Sequence, residues 1–205
     1  MTDMTKKKIA VVTAGLSQPS SSRLLADRLA EATVRALAVH GADAEVSVIE
    51  LRDVAHDITN NLLTGFAPPA LADAVEAVTS ADGLIAVTPI FTTSYSGLFK
   101  SFVDVLDPES LVDLPVLLGA TGGTERHSLA LDYAVRPLFT YLHARPVTTA
   151  VYAASSDWGS GEGGLQQRIE RAAGELAGKI VRGERTQVDP WALTTSFEDL
   201  LRNPS

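Results

Sequence analysis

The sequence predicts an α/β fold in which a five-stranded parallel sheet lies between helices on both faces. Two observations carry this reading. Short runs rich in Val, Ile and Ala alternate with longer amphipathic stretches, and the runs are apolar throughout, as strands covered on both faces are. The alternation is strict, which is the arrangement that builds a doubly wound sheet.

The first strand is predicted at 9–14, and its apolar run ends in "GLSQPSSSR". Four serines fall within positions 17–22 before Leu25, Leu29, Ala32 and Ala36 recur on one face of a helix at 23–40, closed by His40 and Gly41. A serine before a helix is an N-cap, because its hydroxyl accepts an N–H left over at the helix start. One cap needs one serine, and the surplus points to an anion held by free N–H groups and hydroxyls. The remaining strands are expected at 44–50, 83–88, 115–120 and 147–152, and the remaining helices at 69–80, 97–106, 128–142 and 164–181. Asp107 and Pro108 close the helix at 97–106, since proline cannot continue one. The glycine-rich stretch 157–164 reads as a loop and 183–205 as a polar tail, which leaves one domain over 1–182.

The chain has 205 residues, enough for one full core and short for two. No stretch approaches the roughly 20 apolar residues of a bilayer span, and the run after Lys6–Lys8 is too short for a signal peptide. A cytoplasmic protein with no membrane partner is the expectation. The formal net charge of −8 argues against a nucleic-acid partner. With no cysteine in the sequence, disulfides, thiolate metal sites and a cysteine nucleophile are all excluded.

With strand order 2-1-3-4-5, strands 1, 3 and 4 are neighbours, and ligands bind beyond the carboxyl ends of such strands. The loops there are "TAGLSQPSSSR", "TPIFTTSYSG" and "GATGGTERH". The second mixes the hydroxyls of Thr92, Thr93, Ser94 and Ser96 with the rings of Phe91 and Tyr95, a composition suited to a flat, amphipathic ring. In the third, "GATGGT" at 119–124 resembles the opening of a dinucleotide fingerprint, but that fingerprint belongs on the first strand of its unit and needs a further glycine where Glu125 stands; Gly122 and Gly123 need another account. The glycines are better read as a close backbone approach to a ligand. Histidines 40, 56, 127 and 143 lack metal-binding spacing, and neither a G-x-S-x-G elbow nor a P-loop occurs. Trp158 reads as an anchored loop aromatic or a ligand cover.

Taken together, "GLSQPSSSR", "TPIFTTSYSGLFKSFVDVLD" and "LLGATGGTERHSLALDYAVRPLF" resemble the NADPH-dependent FMN reductase family, close to the reductase components of two-component flavin-dependent monooxygenases. The resemblance implies a flavodoxin-like three-layer sandwich that transfers a hydride from NADPH, or NADH, to FMN. It places the phosphate loop on Ser17, Ser20 and Ser22 with Arg23 at the helix start. The flavin-ring loop falls on Pro89, Ile90, Phe91, Thr92, Thr93, Ser94, Tyr95 and Ser96, and the second flavin loop on Thr121, Gly122, Gly123 and Thr124. Arg126 and His127 are candidates for an anionic substrate, and no side-chain acid or base is assigned. Many family members carry an arginine in the phosphate loop and a Tyr-Asn pair after the proline, where this chain has Gln18-Pro19 and Phe91-Thr92. A homodimer or homotetramer and a monooxygenase partner are further implications. A flavodoxin-type electron carrier and a quinone or azo reductase are the alternatives on the same fold.

Overall fold

A computed structural model describes residues 6–159 and 164–183. Its sheet runs β2 (Ala44–Glu50), β1 (Lys7–Thr13), β3 (Gly83–Phe91), β5 (Pro115–Gly122), then a fifth position shared by β6 (Arg145–Pro146) and β7 (Val151–Ala154). Every one of these pairings is parallel, so the predicted order 2-1-3-4-5 is the order observed. The helices α1 (Ser21–Val39) and α6 (Gly164–Arg182) cover one face through Leu25, Leu29, Leu37, Ile169 and Leu176. The opposite face packs under α2 (Ala55–Thr64), α3 (Pro69–Thr79), α4 (Gly97–Asp104) and α5 (Arg136–Tyr141), with Ile58, Leu71, Phe99 and Phe139 buried. Each such fully buried Leu or Phe contributes about 2 kcal/mol of transfer free energy. The sandwich therefore has two apolar layers around one sheet.

Three expectations need correction. The strand expected at 147–152 is two short pieces, because residues between Pro146 and Val151 leave the ladder, where Thr149 turns to bond Glu175. The helix expected at 128–142 is a 3-10 turn (Glu125–His127), a π turn (Leu131–Val135) and the short α5. Pro137 explains the break, since it lacks the N–H that would close on Tyr133 and its ring crowds that carbonyl, widening the preceding turn. The third difference is an addition, the 3-10 turn Leu51–Val54 followed by α2. Only Ile58 of α2 is buried, so the helix has almost no apolar stripe to betray it.

The third strand runs past the expected Thr88 to Phe91 and folds back through β4 (Ser94–Tyr95), pairing Ile90 with Tyr95 and Phe91 with Ser94. The two tip residues, Thr92 and Thr93, have φ of 47° and 71°. The expected tail lies, beyond Gly183, outside the described residues, as do 160–163 of the glycine-rich loop. No described helix is long and apolar enough to cross a membrane.

Candidate functional site

At the carboxyl edge of β1, β3 and β5 lies an open cavity of about 350 Å³, within the size range of small-molecule sites. All three predicted loops reach it. The first contributes Gly15, Leu16, Ser17 and the start of α1, Ser20 to Ser22; β3 contributes Pro89, Ile90 and Phe91; β5 contributes Thr121, Gly122 and Gly123. Ser155 and Trp158, from the 3-10 turn after β7, complete the wall.

The serines divide their work. Ser20 is the N-cap of α1, its Oγ accepting the Arg23 N–H at 3.2 Å. Ser22 is buried and its Oγ lies 2.8 Å from Thr121 Oγ1, joining the helix start to the end of β5. Ser17 and Ser21 are exposed on the wall. The first N–H groups of α1 precede its intrahelical ladder and carry the positive end of the helix dipole, a ready anion site. Gly15 is required beside them, because a Cβ there would stand 1.9 Å from Ser20 Oγ.

Arg23 is outside the wall. Its Nε donates to Asp27 Oδ1 at 2.8 Å and its Nη1 to Glu50 Oε1 at 2.6 Å, and its pKa is raised mainly by the Asp27 bond, against the opposing effect of burial. Within the hairpin loop, Thr92 and Thr93 form the tip, Ser94 and Tyr95 the return strand, and none of the four lines the cavity. Ser96 is structural: its Oγ caps α4 by accepting the Phe99 N–H, and its N–H donates to Thr88 Oγ1, both at 3.1 Å. Tyr95 packs edgewise near Phe99, with ring centroids 6.3 Å apart.

On the β5 side, the glycines differ. A Cβ on Gly122 would meet Tyr152 Oη at 2.0 Å, whereas Gly123 faces open space. Tyr152 donates to the Thr124 carbonyl at 2.8 Å and so holds the turn after Gly123. Burial first, then Glu125 and Asp157, raise the Tyr152 pKa. Thr124 Oγ1 caps the following 3-10 turn, and Arg126 and His127 sit on that turn beyond the wall. Among the described residues no group of three His, Cys, Asp or Glu side chains is placed to hold a metal.

Sequence reasoning did not select Gly15, Leu16, Ser21 or Ser155, and left Trp158 open. Trp158 lines the cavity and is anchored from outside it, with Arg28 Cζ 5.1 Å from its ring centroid, an attractive cation–π geometry.

The family model for NADPH-dependent FMN reductases matches residues 7–159, which span all of these loops. The chain belongs to the NADPH-dependent FMN reductase family. Family relatives include an FMN reductase (NADPH) of Pseudomonas aeruginosa, 37% identical over 151 residues, 74% of this chain and 78% of that protein. The NADH-dependent FMN reductase SfnE of Pseudomonas putida is 37% identical over 172 residues, 82% of this chain and 90% of its own. Among solved structures, an oxidoreductase from Corynebacterium diphtheriae superposes with a TM-score of 0.84 at 44% identity, covering 86% of this chain and 98% of that one. The apo form of the NADH:FMN oxidoreductase EmoB follows the same path with a TM-score of 0.71 at 26% identity, over 84% and 89% of the two chains. In this FMN reductase family member, the serine-rich segment after β1, the β3 extension and the glycines at the end of β5 meet in one place.

Proposed function

We propose that the protein is an NAD(P)H:FMN oxidoreductase. One observation carries this reading: a single cavity joins the free N–H groups of a helix start to the apolar Ile90, Phe91 and Trp158 and to the open backbone at Gly123. Those residues fit FMN, which has a dianionic phosphate at one end and a flat, amphipathic ring at the other. When bound, FMN supplies the hydride acceptor for a reduced nicotinamide.

The chain's own residues bind and orient. Ser17, Ser21 and the first α1 N–H groups hold the phosphate, with Ser22 and Thr121 bracing the wall between the two ends. Pro89, Ile90 and Phe91 meet the ring's edge and face and keep water from it. The backbone at Gly122 and Gly123, which lines the cavity, would offer N–H donors to the ring of a bound FMN and supply electrostatic stabilisation of the charge that reduction develops there. Orientation, with no side-chain acid or base, does the work. Both NADPH and NADH are suitable donors, matching the spread among relatives.

Leu129, Tyr133 and Tyr141 are 62%, 79% and 76% exposed. These exposed apolar and aromatic side chains support a homo-oligomer, dimer or tetramer. A cytoplasmic location and delivery of reduced flavin to a monooxygenase partner complete the proposal. Steady-state NADPH and NADH oxidation with FMN varied tests it. Saturation in FMN, with a weaker response to riboflavin, is the expected result; oxidation independent of flavin sinks the reading.

A further inference from the structure

The phosphate-loop segment is cross-braced from behind by side chains that never reach the cavity. Arg52, on the 3-10 turn after β2, donates from Nη1 to the Ser17 carbonyl at 3.1 Å. Hydrogen bonding orients the Gln18 amide so that its oxygen accepts from Arg52 Nη2 at 2.7 Å and Nη1 at 3.1 Å. Glu50 holds the same guanidinium through Oε2, 2.6 Å from Nη2, and holds Arg23 through Oε1, also at 2.6 Å. Arg23 opens α1, so Glu50 ties the loop's entry at 17–18 to its exit at 23. Arg52 and Glu50 are only 19% and 16% exposed, which keeps the frame largely out of water and strengthens its charged bonds.

We infer that Arg52 is a positioning residue that sets the protein's selectivity for a phosphorylated flavin. The inference rests on the proposed binding of FMN at this loop and adds a residue from outside the wall. A planar guanidinium can serve the Ser17 carbonyl, the Gln18 amide and the Glu50 carboxylate together, because its donors are fixed in a fork. An ammonium in its place keeps the charge and loses the fork. Without the brace, the backbone of 17–22 is free to leave the arrangement that aims its N–H groups at a phosphate. Among the described residues, the hydrogen-bond and ion-pair partners of Arg52 are Ser17, Gln18, Glu50 and Asp53, none of them on the β3 and β5 side of the site.

The test is equilibrium titration of FMN and of riboflavin, by quenching of flavin fluorescence, on the full chain and on R52A, R52K and Q18A. The parent binds FMN more tightly than riboflavin. R52A weakens FMN about tenfold or more, the loss expected for a severed charged hydrogen-bond set, and leaves riboflavin affinity essentially where it was. R52K behaves like R52A, because geometry and not charge is what the brace supplies. Q18A, on an exposed loop residue, shifts FMN in the same direction by about threefold, the cost of a single bond, and decides the matter if R52A does not fold. An unchanged FMN-to-riboflavin ratio in R52A, or in Q18A where R52A is unfolded, overturns the inference, as does full restoration by R52K. Equal affinities for the two flavins in the parent would instead overturn the phosphate reading itself.

Discussion

The hydroxyls of Ser22 and Thr121 lie 2.8 Å apart although 99 positions separate them in the chain. Both side chains are buried, at 2% and 6% exposure. This one contact couples the start of α1 to the end of β5, two walls of the same cavity. Removing one partner strands the other hydroxyl in the interior, whereas removing both does not. Ser22→Ala and Thr121→Val are each expected to destabilise by about 1–2 kcal/mol, with the double variant well below the sum. Urea unfolding of the four-protein cycle checks this; additive losses would dissolve the coupling.

Gly122 and Gly123 are expected to fail in different ways when given side chains. Ala at 122 must displace Tyr152, whose Oη stands 2.0 Å from the new Cβ, and so breaks the Tyr152 bond to the Thr124 carbonyl. Thermal stability falls, and Tyr152→Phe in the same chain restores part of it by deleting the colliding atom. At 123 a Cβ meets nothing within 4 Å, so Val there is expected to leave the fold intact. It is instead expected to slow flavin bleaching by NADPH by roughly a hundredfold, the scale of a misplacement of about 1 Å. Stopped-flow mixing reads the second effect and a melting curve the first.

Alkaline pH should find Tyr152. Its pKa is raised in the folded protein, by burial first and by Glu125 and Asp157 next, so the unfolded chain gives up the phenolic proton at a lower pH than the native one. The contribution is therefore complete below the unfolded value of about 10 and declines as pH climbs from there towards the folded value. Tyr152→Phe is expected to flatten that part of the stability profile. Denaturation between about pH 9 and 11 makes the comparison, and parallel profiles would remove Tyr152 from the account.

The hairpin tip carries a cost that a double substitution should relieve. Thr92 and Thr93 both have positive φ, a region that β-branched residues avoid and that Asn-Gly fills readily in two-residue hairpins. Thr92→Asn with Thr93→Gly is expected to raise stability by about 1–2 kcal/mol. Neither residue lines the cavity, so FMN affinity should stay within a factor of about two of the parent. A lower melting temperature would show that the threonines make compensating contacts.

Leu129→Glu and Tyr133→Lys test the exposed side chains of the segment after Ser128. Light scattering should report a smaller mass for the pair than for the parent; identical masses would place any subunit contact elsewhere.

Much of this was legible beforehand, and particular residues show why. The strand 44–50 was placed to the residue, its start marked by the helix end at His40 and Gly41 and its body by the β-branched Val46, Val48 and Ile49. The three loops were legible because each departs from its strand with residues a plain turn does not need, such as the extra serines and the second glycine. Arg52 was not, since it acts through contacts made across the fold with Ser17 and Gln18, 35 and 34 positions away. The resemblance puts Arg23 at the phosphate loop, and in the fold its guanidinium is engaged by Asp27 and Glu50, the second of them 27 positions away. Periodicity alone also missed what Pro137 does to the helix before it.

The gap between β6 and β7 bears on how the molecule avoids its own kind. A parallel sheet ends in a strand with one unpaired row of amides and carbonyls, and a long, flat one invites another chain to dock and extend it. Here that margin is cut into pieces of two and four residues, with Thr149 drawn off toward Glu175 between them. Neither piece is long enough to template a foreign strand. Docking of a second chain is thereby disfavoured at this margin, whereas the opposite edge of the sheet is the continuous seven-residue β2.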